Sequence, residues 1–208
     1  MPAVTLHGLV ADGYVSGNNG MYSTARDGSN LGTANNGTSA NCGQLFITPT
    51  YYCNELFIAF DTSSLLSTDT INSLVFSMVL NSASWNQTIH VQEIYARDWG
   101  TAVETTDWIA GGSLGGLTLV GTLDTTGIVA ETRYNFTSQV GAIGSIVKGG
   151  VSRYAVACNL LRLGTIPTNG NLLGWYLADA GTPKDPQLFV NYSPAFFSSP
   201  FPAYSKTL

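Results

Sequence analysis

The sequence predicts an all-β chain, an antiparallel β-sandwich or jelly roll of about nine strands with one or two short helices. Three observations lead there. Leu56, Ile58 and Phe60 alternate with Phe57 and Ala59, and Leu74, Phe76, Met78 and Leu80 alternate with Val75, Ser77 and Val79. A period of two is that of strands with one face buried. Between the two runs, Asp61-Thr62-Ser63-Ser64 supplies side chains that hydrogen-bond their own backbone and turn the chain. Elsewhere, short apolar runs are separated by Gly-rich turns, and little of the chain shows helical spacing.

Residues 1–16 read as a first strand, with Leu6, Leu9, Val10, Tyr14 and Val15 as its apolar content. Gly17–Asn41 is polar and reads as a long loop, with turn signals at Asn18-Asn19-Gly20 and Asn35-Asn36-Gly37 and with Tyr22 and Arg26 as its large side chains before Leu31. Strands are expected at Gln44–Thr48, Glu55–Asp61, Ile71–Asn81 and Thr88–Arg97, the last with a bulge at Glu93-Ile94-Tyr95 where the alternation shifts phase. Thr105–Ile109 reads as a helical turn capped by a Thr. Leu117–Leu123 is a further strand. Ser138–Val147 places Val140, Ile143, Ile146 and Val147 at helical spacing behind a capping Ser138. Val151–Leu161, Leu172–Ala180 and Gln187–Tyr192 complete the set, so that residues 1–192 form one domain.

After Tyr192 the character changes. Residues 193–208 form an extended arm in which prolines 194, 200 and 202 exclude a central strand. The arm carries Phe196, Phe197, Phe201 and Tyr204. Leaving a Phe ring in water forfeits roughly 1.5–3 kcal/mol, so these rings are expected to lie on the domain itself or on a neighbouring subunit, a disordered end being the third alternative.

Composition excludes several classes. The chain has 208 residues, 44% of them hydrophobic and only 10% charged, against roughly 25% charged in ordinary soluble domains. Its exterior must therefore be kept in water by Ser, Thr, Asn and Gly. A net charge of −5 argues against nucleic acid, whose phosphates need clustered Lys and Arg. No window approaches the about 18 apolar residues of a membrane span. Met1-Pro2-Ala3-Val4-Thr5-Leu6 lacks a basic n-region and a long apolar run, so the expectation is a product made in a cytoplasm without an export signal. If it works outside the cell it must leave by another route, of which lysis as part of a virus particle is one. Cys42, Cys53 and Cys158 make an odd set, which is no disulfide framework. A hairpin around Pro49 could bring Cys42 and Cys53 together, but small buried side chains are the simpler reading.

The order of motifs resembles a known group. Tyr51-Tyr52-Cys53, Leu56-Phe57-Ile58-Ala59-Phe60-Asp61-Thr62-Ser63-Ser64-Leu65 and Ile71-Asn72-Ser73-Leu74 are similar to a β-sandwich module of bacteriophage structural proteins. They also resemble the DNRLRE-type carbohydrate-binding modules of bacterial surface proteins. Trp99-Gly100, Asp107-Trp108-Ile109-Ala110-Gly111, Gly115–Leu119, Asp179–Thr182 and Asp185–Val190 follow in the same order, so the resemblance covers most of residues 10–192. It implies a jelly-roll fold and a virion or cell-surface setting, and it implies no catalytic residues.

The residues themselves offer little chemistry. His7 and His90 stand singly in expected strands, and no His-Glu-x-x-His, Cys-x-x-Cys, Gly-x-Ser-x-Gly or phosphate loop occurs. Gly111–Gly116 lacks the Lys-Ser/Thr that would complete a phosphate loop, and reads as a flexible turn. Glu55 and Asp61 on one strand would lie roughly 20 Å apart, too far for a glycosidase pair. Asp12, Asp98, Asp107, Asp179 and Asp185 sit mostly beside Gly, Thr or Pro, the ordinary place for turn-forming Asp, and loop Asp and carbonyl oxygens of this kind are also what a structural calcium would use. A glycan-binding face needs exposed aromatic rings beside amides. Among Trp85, Trp99, Trp108, Trp175, Tyr95 and Tyr176, Trp175 alternates with Leu173 and Leu177 and belongs in the core, whereas Trp85, in an expected Ser82–Gln87 turn, is the candidate for sugar contact.

The expectation is thus a non-enzymatic virion protein, most simply a capsid decoration (cement) protein at the particle surface. Its partners would be the major capsid protein or other virion proteins, with the arm residues Phe196, Phe197, Phe201 and Tyr204 as contacts and a homo-oligomer as the natural state. The alternative is a carbohydrate-binding module of a phage tail or receptor-binding device, recognising a host-surface glycan. No cofactor is called for.

Overall fold

A computed structural model of the chain describes residues 2–35, 37–86 and 88–195, with the side chains of residues 34, 35, 84 and 85 also outside the description. Among the described residues the molecule is mostly β, a curled antiparallel sheet of thirteen strands. In chain order these are β1 (Ala3–His7), β2 (Gly13–Asn19), β3 (Gly32–Asn35), β4 (Ser39–Ile47), β5 (Thr50–Asp61), β6 (Thr70–Asn86), β7 (Val91–Ala96), β8 (Leu119–Asp124), β9 (Arg133–Asn135), β10 (Thr137–Ser138), β11 (Val151–Cys158), β12 (Gly170–Tyr176) and β13 (Gln187–Ser193). Two short helices, α1 (Tyr22–Arg26) and α2 (Asn159–Leu163), accompany them.

The strands run in the order β1-β13-β6-β12-β4-β5-β11-β7-β8-β10, with β2 also on β5, β3 on β2 and β9 on β6. The curl is held by one short segment. β9 pairs with β6, β10 pairs with β8, and the intervening Phe136 N–H donates to Phe76 O at 2.8 Å. Ser138 Oγ adds a bond to Leu74 O.

Inside the curl lies a core of Leu56, Ile58 and Phe60 from β5, Leu74, Phe76, Met78 and Leu80 from β6, and Tyr154, Val156, Leu173, Trp175, Leu188 and Val190 from the strands around them. The alternating residues read from the sequence are therefore the inner face. β5 differs from expectation in one respect: its other face is buried too. Cys53, Phe57 and Ala59 join Tyr95, Ala155 and Ala157 in a second core, covered by Tyr22 and Ala25 of α1, Leu161 of α2, and Val103, Ile109 and Leu114. Eight consecutive β5 residues, from Cys53 to Phe60, are buried, the signature of a strand covered on both sides.

The cover comes from segments read differently in the sequence. The expected Gly17–Asn41 loop contains the end of β2, α1, β3 and the start of β4. It is pinned down by its two large side chains. Tyr22 Oη donates to Gln44 Oε1 at 2.7 Å, and Arg26 donates to the carbonyls of Leu161 and Arg162 at 2.6 and 3.0 Å. The expected single strand over 1–16 is replaced by two, β1 and β2, because β1 joins β13 while β2 joins β5. The expected 138–147 helix is a strand end at Ser138 and a single 3-10 turn at Ile143–Ser145. Ser138 is drawn into pairing with β8, and Val140 is fully exposed. Gly111–Gly116 is a 3-10 helix, not a loose turn. The Thr105–Asp107 turn is capped by Glu104 in reciprocal bonds with Asp107, not by a Thr. The bulge falls where expected, as a register shift between Ile94 and Tyr95 against β8.

The β4–β5 hairpin around Pro49 forms, with Gln44 opposite Cys53. Cys42 enters the inner core and Cys53 the outer one, so the sheet stands between the two sulfurs and all three cysteines are free. Phe196, Phe197, Phe201 and Tyr204 lie outside the described residues.

Candidate functional site

A strand that buries both faces can only offer a ligand what lies beyond its cover. On β5 the inner face continues, two residues at a time, from Phe60, Ile58 and Leu56 to Asn54 and Tyr52. On β2, Tyr14 and Ser16 stand opposite Leu56 and Asn54. With Asn41 of β4 and Leu172 of β12, these side chains line a groove of about 200 Å³. Close approach of β4 to β12 beneath it depends on Gly43, whose φ of +127° and lack of a Cβ let the Asn171 carbonyl come against it. Two phenol rings, two amides and a hydroxyl make this a surface for stacking and hydrogen bonding. No carboxylate or imidazole is among its lining residues.

The ionisable groups inside the molecule are engaged in holding it together. Glu55 is fully buried in β5 and accepts from Ile109 N–H at 2.9 Å, which anchors the outer cover. Burial pushes its carboxyl well above the usual carboxylate range, against the Ile109 bond and the Arg97 charge. Asp12 is buried and accepts from Ala178 N–H at 2.7 Å; burial raises it to about 7, the Ala178 bond opposes this and nearby Asp179 adds to it. Glu93, on the outer face of β7, receives two bonds from the Arg162 guanidinium, at 2.8 and 3.1 Å, and one from Tyr95 Oη. His90 is buried, its ring nitrogens next to Thr88 O and Gln92 Nε2, and burial lowers its pKa. His7 meets Asp185 at 2.6 Å. Among the described residues no three His, Cys, Asp or Glu side chains come together as metal ligands.

The turn-forming roles of the Asp residues are visible in the bonds. Asp61 accepts from Ser63 N–H, Asp98 from Gly100 N–H and Asp107 from Glu104 N–H. Glu55 and Asp61 are divided as well as spaced, one buried and the other exposed.

The aromatic candidates separate. Trp175, Trp99 and Tyr95 are buried, and Tyr176 is tied by its hydroxyl to Glu131 and Lys184. Trp85 is not in a turn: β6 runs through to Asn86 and places it in register with Leu172. Pairing with β12, which sets Ser82, Trp85 and Asn86 against Gly174, Leu172 and Asn171, carries the strand past the expected end at Asn81. The Trp85 side chain lies outside the description. The groove residues Tyr14, Tyr52, Asn41 and Asn54 were missed as a site. Their signal was the polar and aromatic continuation Tyr52-Cys53-Asn54 ahead of the apolar run of β5. No family model matches the chain, and no curated protein matches it.

Proposed function

We propose that the chain is a non-enzymatic structural protein of a bacteriophage particle, a capsid decoration protein whose curled sheet is a jelly-roll sandwich. One observation carries this reading: buried ionisable groups serve as internal fasteners, while large apolar side chains are left outside. Met21, Val140, Leu163 and Ile166 are each more than half exposed, on a chain with very few charges. Scattered apolar side chains are ordinary on any protein; a charge-poor exterior that includes them favours contact with other subunits. The motif order described above supports a virion setting. The mechanism is adhesion by area, with the domain and its aromatic arm bridging neighbouring capsid subunits. Deleting residues 194–208 should leave a folded domain that no longer joins particles. Full occupancy by the truncated chain would contradict the role of the arm.

A second reading, a carbohydrate-binding module, is favoured by the Tyr14/Tyr52 groove with its paired amides. Sugar rings stack on phenol faces, and Asn41 and Asn54 can bond hydroxyls. Tyr52→Ala should abolish saturable binding on a glycan array while leaving the melting temperature within a few degrees.

A further inference from the structure

We propose that the cleft between β7, β11 and the 143–147 segment binds the carboxylate of an acidic saccharide. The assignment deepens the carbohydrate-binding reading above, and rests on it, by naming a substrate class and a second locus. The cleft encloses about 490 Å³ and is lined by Arg97, Asp98, Ser145, Val147, Val151 and Arg153 among others. Two guanidiniums in one cleft are notable in a chain with only eight Lys and Arg in all.

Arg97 stands apart. Every other described Lys and Arg donates to a protein acceptor. Among the described residues the Arg97 guanidinium donates no hydrogen bond, and its Nε is buried without a partner. A half-buried guanidinium with idle donors is costly unless something accepts from it. Its backbone N–H donates to Arg153 O at 3.2 Å, which holds Arg97, just past the end of β7, beside β11. Arg153 is held in place, its guanidinium carbon 5.6 Å from the Trp99 ring centroid, with one 3.4 Å contact to the exposed Asp98.

The chemistry required of a ligand follows. Paired guanidiniums select a planar anion that can accept from both. The Asp98 carboxylate at the rim repels a densely charged anion but accepts from hydroxyl groups. Ala96, Val147 and Val151 offer apolar wall for C–H faces. One carboxylate, several hydroxyls and an apolar ring face together describe a hexuronic or sialic acid residue.

The test is calorimetric titration of the full chain with tetragalacturonate, a hyaluronan tetrasaccharide and a sialic acid tetramer, against fully methyl-esterified tetragalacturonate and inorganic phosphate. At least one acidic saccharide should bind saturably and lose affinity about tenfold or more in Arg97→Gln, the effect of removing charge-assisted bonds. Circular dichroism would establish that the variant folds, and Arg153→Lys should weaken binding by a smaller factor. If none of the three binds, if the neutral ester binds as well as its acid, if phosphate displaces the acidic ligand at equal concentration, or if folded Arg97→Gln binds undiminished, the assignment is overturned. Neutral-glycan binding abolished by Tyr52→Ala would persist in those cases if only this cleft is wrongly assigned. Absence of any glycan binding would remove the wider reading as well.

Discussion

Asp12 shows how much a single buried carboxyl can govern. Its pKa, raised to about 7 by burial, means that the folded chain holds a proton that the unfolded chain releases near pH 4. Between those values the native state binds more protons, so this group's contribution to stability falls as pH rises. The upper bound on that loss is about 4 kcal/mol, at 1.36 kcal/mol for each unit of displacement. Asp12→Asn keeps an oxygen for Ala178 N–H and removes the titration. Its denaturation midpoint should fall less than the parent's from pH 5 to pH 8, any residual decline coming from the raised Glu55 carboxyl, as urea melts at the two pH values would measure. A parallel decline in both proteins would contradict the assignment. The cysteines give a second prediction at this scale. Cys42, Cys53 and Cys158 are buried, and burial raises every thiol, Cys158 to about 12. A thiol-exchange reagent should titrate none of them in the native chain and all of them in denaturant. Rapid native labelling would show that a core is open.

At the scale of elements, β5 separates what the sequence makes legible from what it does not. Its alternation identifies Leu56, Ile58 and Phe60 as one face, and those residues do line the inner core. The same run contains Phe57 and Ala59, so an uninterrupted apolar stretch was visible as well, and it is this that marks a strand buried on both sides. The outer cover was harder to see. α1 is five residues long and has no apolar periodicity to announce it; it stays in place through Tyr22, Arg26 and Ala25, which make contacts far along the chain. Val140, Ile143 and Val147 show the opposite case, helical spacing that tertiary pairing overrides. Phe57 tests the cover directly. Phe57→Ala should cost about 3–5 kcal/mol, as for a fully enclosed ring, measured by denaturant unfolding. A loss below about 0.5 kcal/mol, typical of surface substitutions, would mean that α1 and the 103–114 segment do not enclose it.

For the whole molecule, the mostly β character was legible because period-two runs and turn residues recur along the chain, and turn-forming Asp61 and Asp98 could be placed by local chemistry alone. The groove and the arginine cleft were not, because each gathers residues from strands distant in sequence: Tyr14 with Asn41, Tyr52 and Leu172, and Arg97 with Ser145 and Arg153. No local pattern encodes such meetings; they follow from the order of strands in the sheet. The proposed particle role belongs to this scale as well, since it depends on exterior area and on the role proposed for residues 193–208. It is tested most directly by fractionating lysed, phage-producing cells on a density gradient and probing each fraction with antibody to this chain. The account predicts that the chain bands with DNA-filled particles in a fixed ratio to the major capsid protein. Recovery only among the soluble proteins, with none on particles, would contradict it.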